Sequence, residues 1–567
     1  MTSVASISPR PFILSWASAR LPVLLVSAIL LIGAGYPMAL LFLTSIFPEI
    51  MGGRFDGFLD AYRRIGETEG IGSMLWNSFA WAAATTVVSW IFGVPCGYLL
   101  ARTNLPGKLW ARLSLLVPIM TPPYIAALSY ILVMQDGGFI DQLLGPMPES
   151  LRAWFFSFWG VTLVMALASF GYVALATEAA LSAIPRRLEI AAAQLGASWS
   201  QTLRVILIPL LLPALFNSGL LVFLEALSNF GVPAVLGTRA NLPLLPAEIF
   251  YLVTSWPLDL ALATALSSLL CLVALIALYG SRLIANFMGN GRYEPETPHQ
   301  FELGPGLRLL GLAWFGGLFF LSTLLPYFAM IITSVADQWR GTLPSLTLEH
   351  YRAILTPGSR GSEALFTSLW LAFAAATISI FLGAWIAYVT SRTRGWLRHA
   401  LEGLATLPRV IPKIVLAVGL ILAWNAFWVP VSPYNTVWML LLAYVVIYIT
   451  DALNYSNSRL QSMDPGLEHA ASILGASRQR VFLEVVLPQL KPALLAAWLT
   501  TFIVTMRELV ASILLLPPGV DTSATFIFNQ FEQGDLAVAM AMASITIALS
   551  SIVLVVFQIR SRQRAPT

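Results

Sequence analysis

The residues that decide the fold are Leu188-Glu189-Ile190-Ala191-Ala192-Ala193-Gln194-Leu195-Gly196-Ala197-Ser198 and Leu467-Glu468-His469-Ala470-Ala471-Ser472-Ile473-Leu474-Gly475-Ala476-Ser477. The second stretch begins 279 residues after the first, and prolines follow both at identical distances, at Pro209 and Pro213 and at Pro488 and Pro492. Such repetition indicates two similar halves. We place them at 1–290 and 307–567, joined by a polar linker at 291–306, with the repeated segments near 185–213 and 464–492.

Each repeated segment predicts a short helix followed by a sharp turn. Glu189 to Leu195 are mostly good helix formers, and Gly196 is suited to the left-handed conformation that ends a helix. Ser198 can cap the next helix, and Gln201 completes a capping box. In the second copy Ser477 can cap in the same way, but Arg480 cannot supply the reciprocal bond.

The composition places the chain in a membrane. Of its 567 residues 58% are hydrophobic and 11% are charged, and the mean hydropathy is +0.78. A soluble chain carries about 25% charged residues, so the composition excludes a set of soluble domains. The net charge of +4 does not indicate nucleic-acid binding, because the basic residues are scattered between apolar runs.

Apolar stretches of about 20 residues, the length that spans a bilayer, occur twelve times. We predict an all-α polytopic protein with spans near 21–47, 76–101, 112–134, 156–182, 206–230, 259–281, 308–333, 365–391, 400–427, 435–453, 492–516 and 537–559. The first is expected to be a retained span and not a removed leader. Six spans per half make the repeats parallel.

The lysines and arginines predict the orientation. They divide 21 to 8 between the two sides, with three more within or at the edges of apolar runs. Because cytoplasmic loops are enriched in basic residues, both termini and both repeated segments are predicted to lie in the cytoplasm.

The sequence carries no energy-converting or catalytic motif of its own. A phosphate-binding Gly-x-x-x-x-Gly-Lys-Ser/Thr loop is missing, and no Cys/His cluster has the spacing of metal ligands. Transport driven by a partner is therefore favoured over an ion-coupled secondary carrier, for which membrane-buried acids are too few, and over an intramembrane enzyme.

The repeated segments resemble the signature of permease subunits of ABC importers with the type I fold. In that family Glu-Ala-Ala, three residues, Gly and nine residues lead to Ile-x-Leu-Pro. Here Ile206-Leu207-Ile208-Pro209 follows Gly196, and Val485-Val486-Leu487-Pro488 follows Gly475, both at the family spacing. The family Glu falls at Ile190 and His469, whereas this chain has Glu one residue earlier, which turns a helical side chain by about 100°.

The resemblance implies a transport subunit of the bacterial inner membrane, not an enzyme. Its partners would be two cytoplasmic ATPase subunits, which hold ATP and Mg, and one periplasmic or extracellular binding protein. The chain itself would bind no cofactor or metal. The segments that dock on the ATPase would be formed by Glu189, Ala191, Ala192, Gly196, Pro209, Glu468, Ala470, Ala471, Gly475 and Pro488.

The resemblance also suggests a cargo. A fused permease of two six-span halves is typical of ferric-iron importers, and Ser228-Asn229-Phe230-Gly231 and Met506-Arg507-Glu508-Leu509 resemble segments of iron permeases. Phosphonate, thiamine, spermidine or putrescine, and sulfate permeases share much of this layout and remain alternatives.

Polar residues inside the spans are candidates for the translocation path: Glu225, Asn229, Arg409, Lys413, Arg507 and Glu508. Arg409 and Lys413 are predicted to share one helix face, since they are one turn apart, and replacing both is expected to lower transport without loss of assembly. The alternative is a structural role in neutralising pairs. Prolines interrupt the third and ninth spans, as path-lining breaks or as simple kinks.

Overall fold

Helices form almost all of the structure, a computed structural model that describes residues 16–185, 187–288, 301–337 and 345–562. Within these residues ten unbroken helices are long and apolar enough to cross a membrane, and two helix pairs are bent by 94° and 110°. Counting each bent pair as one span gives the expected twelve. Outside the described residues lie 291–300 of the predicted linker and five of the arginines counted for orientation, namely Arg10, Arg186, Arg292, Arg340 and Arg564.

The two halves have the same succession of spans, which we number 1 to 12. Spans 1 to 6 are Trp16–Leu30 continued by Tyr36–Ile46, Ile71–Arg102, Lys108–Met120 with Pro123–Met134, Phe158–Ala183, Ile208–Ser228 and Leu260–Met288. Spans 7 to 12 are Pro305–Phe319 continued by Leu325–Val335, Arg360–Arg392, Trp396–Val410 with Lys413–Trp424, Val437–Gln461, Leu487–Thr505 and Leu536–Arg562.

Prolines produce the irregular turns, and they do so at matching places in the two halves. A proline has no N–H to donate, so the preceding turn widens into a π-helix or the helix ends. Five-residue π-helical turns at Leu31–Gly35, Leu203–Leu207, Phe320–Leu324 and Phe482–Val486 precede Pro37, Pro209, Pro326 and Pro488. Spans 3 and 9 break outright, just before Pro122 and Pro412.

Two short helices, Leu245–Thr254 and Ser523–Glu532, follow spans 5 and 11 and were not predicted from the sequence. Each begins on a serine of the second span of its own half. The Leu245 N–H donates to Ser78 Oγ at 2.8 Å, and the Ser523 N–H donates to Ser368 Oγ at 2.7 Å. These contacts fix the chain between the last two spans of each half.

A half-buried tyrosine links three segments in each half. Tyr62 Oη lies 3.0 Å from Ser45 Oγ and 2.6 Å from Ser268 Oγ. Tyr351 Oη lies 2.7 Å from Ser334 Oγ and 2.8 Å from Ser544 Oγ in the second half. The sequence analysis missed this repeat, which sits in the short helices Asp60–Glu67 and Glu349–Leu355.

The two halves exchange their first spans. The Tyr36–Ile46 part of span 1 packs against Lys413–Trp424 of span 9, and Tyr36 Oη donates to the Ala423 carbonyl at 3.0 Å. Likewise, the Leu325–Val335 part of span 7 packs against Pro123–Met134 of span 3. One buried apolar cluster consequently runs through both halves.

Small residues allow spans 2 and 4 to pack closely, and a larger residue there should be costly. A Cβ at Gly97 would lie 2.5 Å from Thr177 Cβ and 2.6 Å from the Ala174 carbonyl oxygen. Because these are packed main-chain and branched atoms, we expect Gly97→Val to destabilise the protein by about 2 to 3 kcal/mol. Thermal unfolding in detergent would measure the loss.

Gly316 is the matched control for this prediction. It lies inside the Pro305–Phe319 helix, and a Cβ there has no neighbour within 4 Å. Gly316→Ala should be neutral or stabilising by about 1 kcal/mol, because alanine is the better helix former. Equal unfolding temperatures for the two variants would contradict the packing argument.

Candidate functional site

The first repeated segment has the local structure predicted for it. Its helix is Arg187–Gln194, and Gly196 follows with φ +82°. The Ser198 N–H donates to Gln201 Oε1 at 2.8 Å, and the Gln201 N–H donates to Ser198 Oγ at 3.3 Å, which confirms the capping box. The chain then enters span 5 through the π-helical turn before Pro209.

The second repeated segment follows the same plan. Its helix is Pro465–Ile473, and Gly475 has φ +86°. The Arg480 N–H donates to Ser477 Oγ at 3.3 Å, while the Arg480 side chain pairs with Glu484 at 3.0 Å. The cap without a reciprocal bond is therefore confirmed.

Both segments expose a leucine at the equivalent position, and in both the glutamate side chain pairs with an arginine of the same chain. Leu195 and Leu474 are each 88% exposed, at equivalent positions. Glu189 instead lies against Arg102, with Nη2 and Oε1 2.9 Å apart, and Glu468 pairs with Arg392. The one-residue displacement of Glu in the sequence thus turns the carboxylate toward the protein.

The other residues of the segments are small or exposed. Ala191 and Ala470 are exposed, Ala192 is buried and Ala471 is half-buried. Pro209 and Pro488 are exposed in the first turn of spans 5 and 11. The exposed alanines, Ala191 and Ala470, have small side chains that allow a partner protein to approach these helices closely.

A half-buried lysine and a buried glutamate form an ion pair within the second half, where the Lys413 side chain is 33% exposed. Lys413 Nζ is 2.7 Å from Glu508 Oε2, and the Glu508 side chain is only 3% exposed. The Tyr448 hydroxyl donates to the same carboxylate and lies 3.3 Å from Lys413 Nζ. Glu508 Oε1 accepts from the Val510 N–H at 3.2 Å. A buried carboxylate needs such a set of donors to stay charged.

Arg409 and Lys413 do not share a helix face, so that prediction is wrong. Span 9 ends its first helix at Val410 and begins its second at Lys413, with a bend of 110° between them. Arg409 Nη1 lies 3.7 Å from Asp451 Oδ1, and its side chain is 54% exposed. The break reflects Pro412, whose ring disfavours helix at the preceding residue.

Arg507 reaches across to the first half. Its Nη2 donates to the Ile119 carbonyl at 3.2 Å, in the last turn before span 3 breaks. Beside it Thr121 Oγ1 lies 2.8 Å from Tyr327 Oη, a second contact between the halves. Arg507 Nη1 is buried without a hydrogen-bond partner in the described part of the chain.

The two remaining path candidates belong to the first half. Asn229 ends span 5, and its Oδ1 accepts from the Val232 N–H at 2.9 Å, as Glu508 does from Val510. Glu225 is exposed on span 5 and makes no ion pair within the described residues, but it interacts electrostatically with Lys413 and Arg507.

The charged path candidates together with Asp451, which we call the central cluster, come almost entirely from the second half. Arg409, Lys413, Asp451, Arg507 and Glu508 occupy positions that hold uncharged residues in the first half, namely Ile119, Pro123, Tyr172, Ser228 and Asn229. The first half contributes the uncharged candidate Asn229 and one charged candidate, Glu225. Three cationic and three anionic side chains thus meet near the boundary between the halves.

Sequence analysis missed Asp451 and Tyr448. The sequence does contain an indication of both residues, because Tyr444, Tyr448 and Asp451 are spaced so that they lie on one face of a helix. Asp451 falls near the end of the predicted span 435–453, and its position in the sequence does not identify Arg409 as its partner. Within residues 16–185, 187–288, 301–337 and 345–562, no group of three or more His, Cys, Asp or Glu is arranged to hold a metal ion.

The chain is similar in sequence to several transport-system permease proteins. Ferric transport system permease protein FbpB of Actinobacillus pleuropneumoniae is 27% identical over 495 residues, 85% of this chain and 70% of the relative. Putative ferric transport system permease protein FbpB 1 of Haemophilus influenzae is 29% identical over 78% of this chain and 70% of its own length. A putative 2-aminoethylphosphonate transport system permease protein, PhnV, of Salmonella paratyphi A is 28% identical over 41% of this chain and 87% of its own length.

The family itself is matched twice, once in each half. The description "Binding-protein-dependent transport system inner membrane component" fits residues 93–285 and again residues 379–564. Each match contains one repeated segment together with the spans around it. The chain therefore belongs to the family of inner-membrane permease subunits of binding-protein-dependent ABC importers.

Proposed function

We propose that this permease imports ferric iron, which a soluble binding protein delivers and two copies of a cytoplasmic ATPase drive across the membrane. Its relatives include ferric transport permeases that align over 85% and 78% of the chain, and this is the observation that carries the cargo assignment. In this proposal the chain hydrolyses no ATP and binds no cofactor, since ATP and Mg are held by the ATPase.

Two identical ATPase subunits suit the two repeated segments. Both segments place an exposed leucine, Leu195 or Leu474, just before a left-handed glycine, and both leucines are 88% exposed. A single kind of groove can therefore accept both. The binding protein would dock on the opposite face of the membrane.

The orientation proposed from the lysines and arginines puts both termini and both repeated segments in the cytoplasm. The 21 to 8 division of basic residues supports this orientation. It also puts the repeated segments on the side where ATP is available. Labelling of single cysteines at Ala191 and Ala470, both exposed, would test it in intact cells.

The central cluster is the proposed translocation path. Glu225 and Asp451 offer carboxylates that attract a cation, while Arg409 and Arg507 offer guanidinium groups that attract an anion. The cluster lies where the halves meet, as Arg507 bonds to the Ile119 carbonyl. A phosphonate is the second candidate cargo, because a 2-aminoethylphosphonate permease aligns with 41% of the chain and the cluster includes three cations.

Reconstitution with the matching ATPase and binding protein tests the cargo. We expect labelled ferric iron to accumulate in proteoliposomes only when ATP and the binding protein are both present. If iron is not taken up while 2-aminoethylphosphonate or thiamine stimulates ATP hydrolysis, the iron assignment fails and the permease role stands.

A further inference from the structure

The same ion pair occurs in both halves, between the end of the second span and the start of the repeated cytoplasmic helix. Arg102 is the last residue of span 2, and Glu189 lies in the first turn of the Arg187–Gln194 helix. Arg392 is the last residue of span 8, and Glu468 lies in the first turn of the Pro465–Ile473 helix. The presence of the pair at the same place in both repeats indicates more than a chance surface contact.

The positions of the four residues favour strong attraction. A cation at a helix C-terminus and an anion at a helix N-terminus each oppose the partial charge of the helix end. The pair in the first half is also shielded from water, since the side chains of Arg102 and Glu189 are 6% and 16% exposed. Glu468 is equally withdrawn, at 15% exposed, although Arg392 is 45% exposed.

Arg102 also holds the end of span 4. Its Nη2 donates to the Ile184 carbonyl at 2.9 Å, directly after the Phe158–Ala183 helix ends. One guanidinium group thus connects spans 2 and 4 with the cytoplasmic helix. In the second half Arg392 is supported differently, with its guanidinium carbon 5.7 Å from the centre of the Tyr388 ring.

We propose that Arg102 and Arg392 are positioning residues that tie each coupling helix to the second span of its half, so that movement of the ATPase is transmitted to the membrane spans. The coupling helices are Arg187–Gln194 and Pro465–Ile473. The inference rests on the proposed function. Span 2 packs along spans 4 and 5, and span 8 packs along spans 10 and 11. A displacement of either coupling helix would therefore reach three spans of its half, namely 2, 4 and 5 or 8, 10 and 11.

This arrangement assigns the docking contact to other residues. Because Glu189 and Glu468 face arginines of their own chain, the ATPase meets the exposed leucines and alanines instead. The glutamates act through the arginines and not by touching the partner.

The test separates docking from coupling. In the complex reconstituted with its ATPase and binding protein, we compare Arg102→Gln with Arg392→Gln, and the same pair of positions changed to Lys. We expect the Gln double variant to retain the ATPase and hydrolyse ATP, while iron transported per ATP falls about tenfold, the effect of losing roughly 1.4 kcal/mol of coupling. The Lys double variant keeps both positive charges and should recover most of it.

The matched control is Arg398→Gln, which breaks an exposed pair with Glu402 at 2.7 Å on the same predicted face. It should leave the transport-to-hydrolysis ratio unchanged. An unchanged ratio in the Gln variant, or a loss of ATPase binding that the Lys variant does not restore, would overturn the inference. A wild-type complex that binds no ATPase would instead overturn the proposed function.

Discussion

Replacing Lys413 by Met is expected to destabilise the permease by about 3 kcal/mol and to stop transport. The change leaves Glu508, whose side chain is 3% exposed, without its cationic partner. Breaking a fully buried ion pair by removing one member costs about 3 to 5 kcal/mol, because the other charge stays buried and uncompensated. The Lys413 side chain is 33% exposed, so the expected loss lies at the lower end of that range. The unfolding temperature in detergent and the amount of protein in the membrane measure the effect on stability.

Two variants make this expectation specific to the pair. Lys413→Met combined with Glu508→Gln removes both charges and should regain most of the lost stability, although not transport. Arg409→Met should cost less than about 1 kcal/mol, since its pair with Asp451 is longer, at 3.7 Å, and more exposed. If the double variant were as unstable as Lys413→Met, the ion pair would not be the source of the loss.

Placing arginine at both Gly196 and Gly475 should abolish ATPase binding while the permease still assembles in the membrane. Both glycines have positive φ, +82° and +86°, and a Cβ at either one meets nothing within 4 Å. The penalty is therefore in the backbone, about 1 to 2 kcal/mol per residue for a side chain in the left-handed conformation. Relief of that strain would redirect the chain after Leu195 and Leu474. Co-purification with the ATPase measures the result.

Asparagine at the same two positions is the matched control. It is the residue other than glycine that most often ends a helix in the left-handed conformation, so the Asn double variant should still bind the ATPase. Normal binding by the Arg double variant would remove these glycines from the docking assignment.

The parts of the fold that depend on neighbouring residues could be predicted from the sequence. The coupling helices, their left-handed glycines and the two caps involve residues within a few positions of one another, and they formed as expected. The apolar runs likewise identified the spans, because the thickness of a bilayer sets the length of a helix.

The arrangement of the central cluster depends on residues that are far apart in the sequence, so it could not be predicted from local spacing. Arg409 and Lys413 were assigned to one helix face, but Pro412 ends the helix between them. The partner of Lys413 comes from span 11, and that of Arg409 from span 10. Local spacing carries no information about such pairs.

The exchange of first spans has a consequence for how the chain is made. Ribosomes produce span 1 first, whereas the helix that covers Tyr36–Ile46 begins at Lys413, so much of the protein is synthesised before that contact can form. Until then the Tyr36 hydroxyl, which ends bonded to the Ala423 carbonyl, has no such acceptor. The Tyr36–Ile46 helix can pack on span 6 of its own half earlier, but its contact with span 9 must wait for the second half. The first half therefore reaches its final packing only after span 9 has been made.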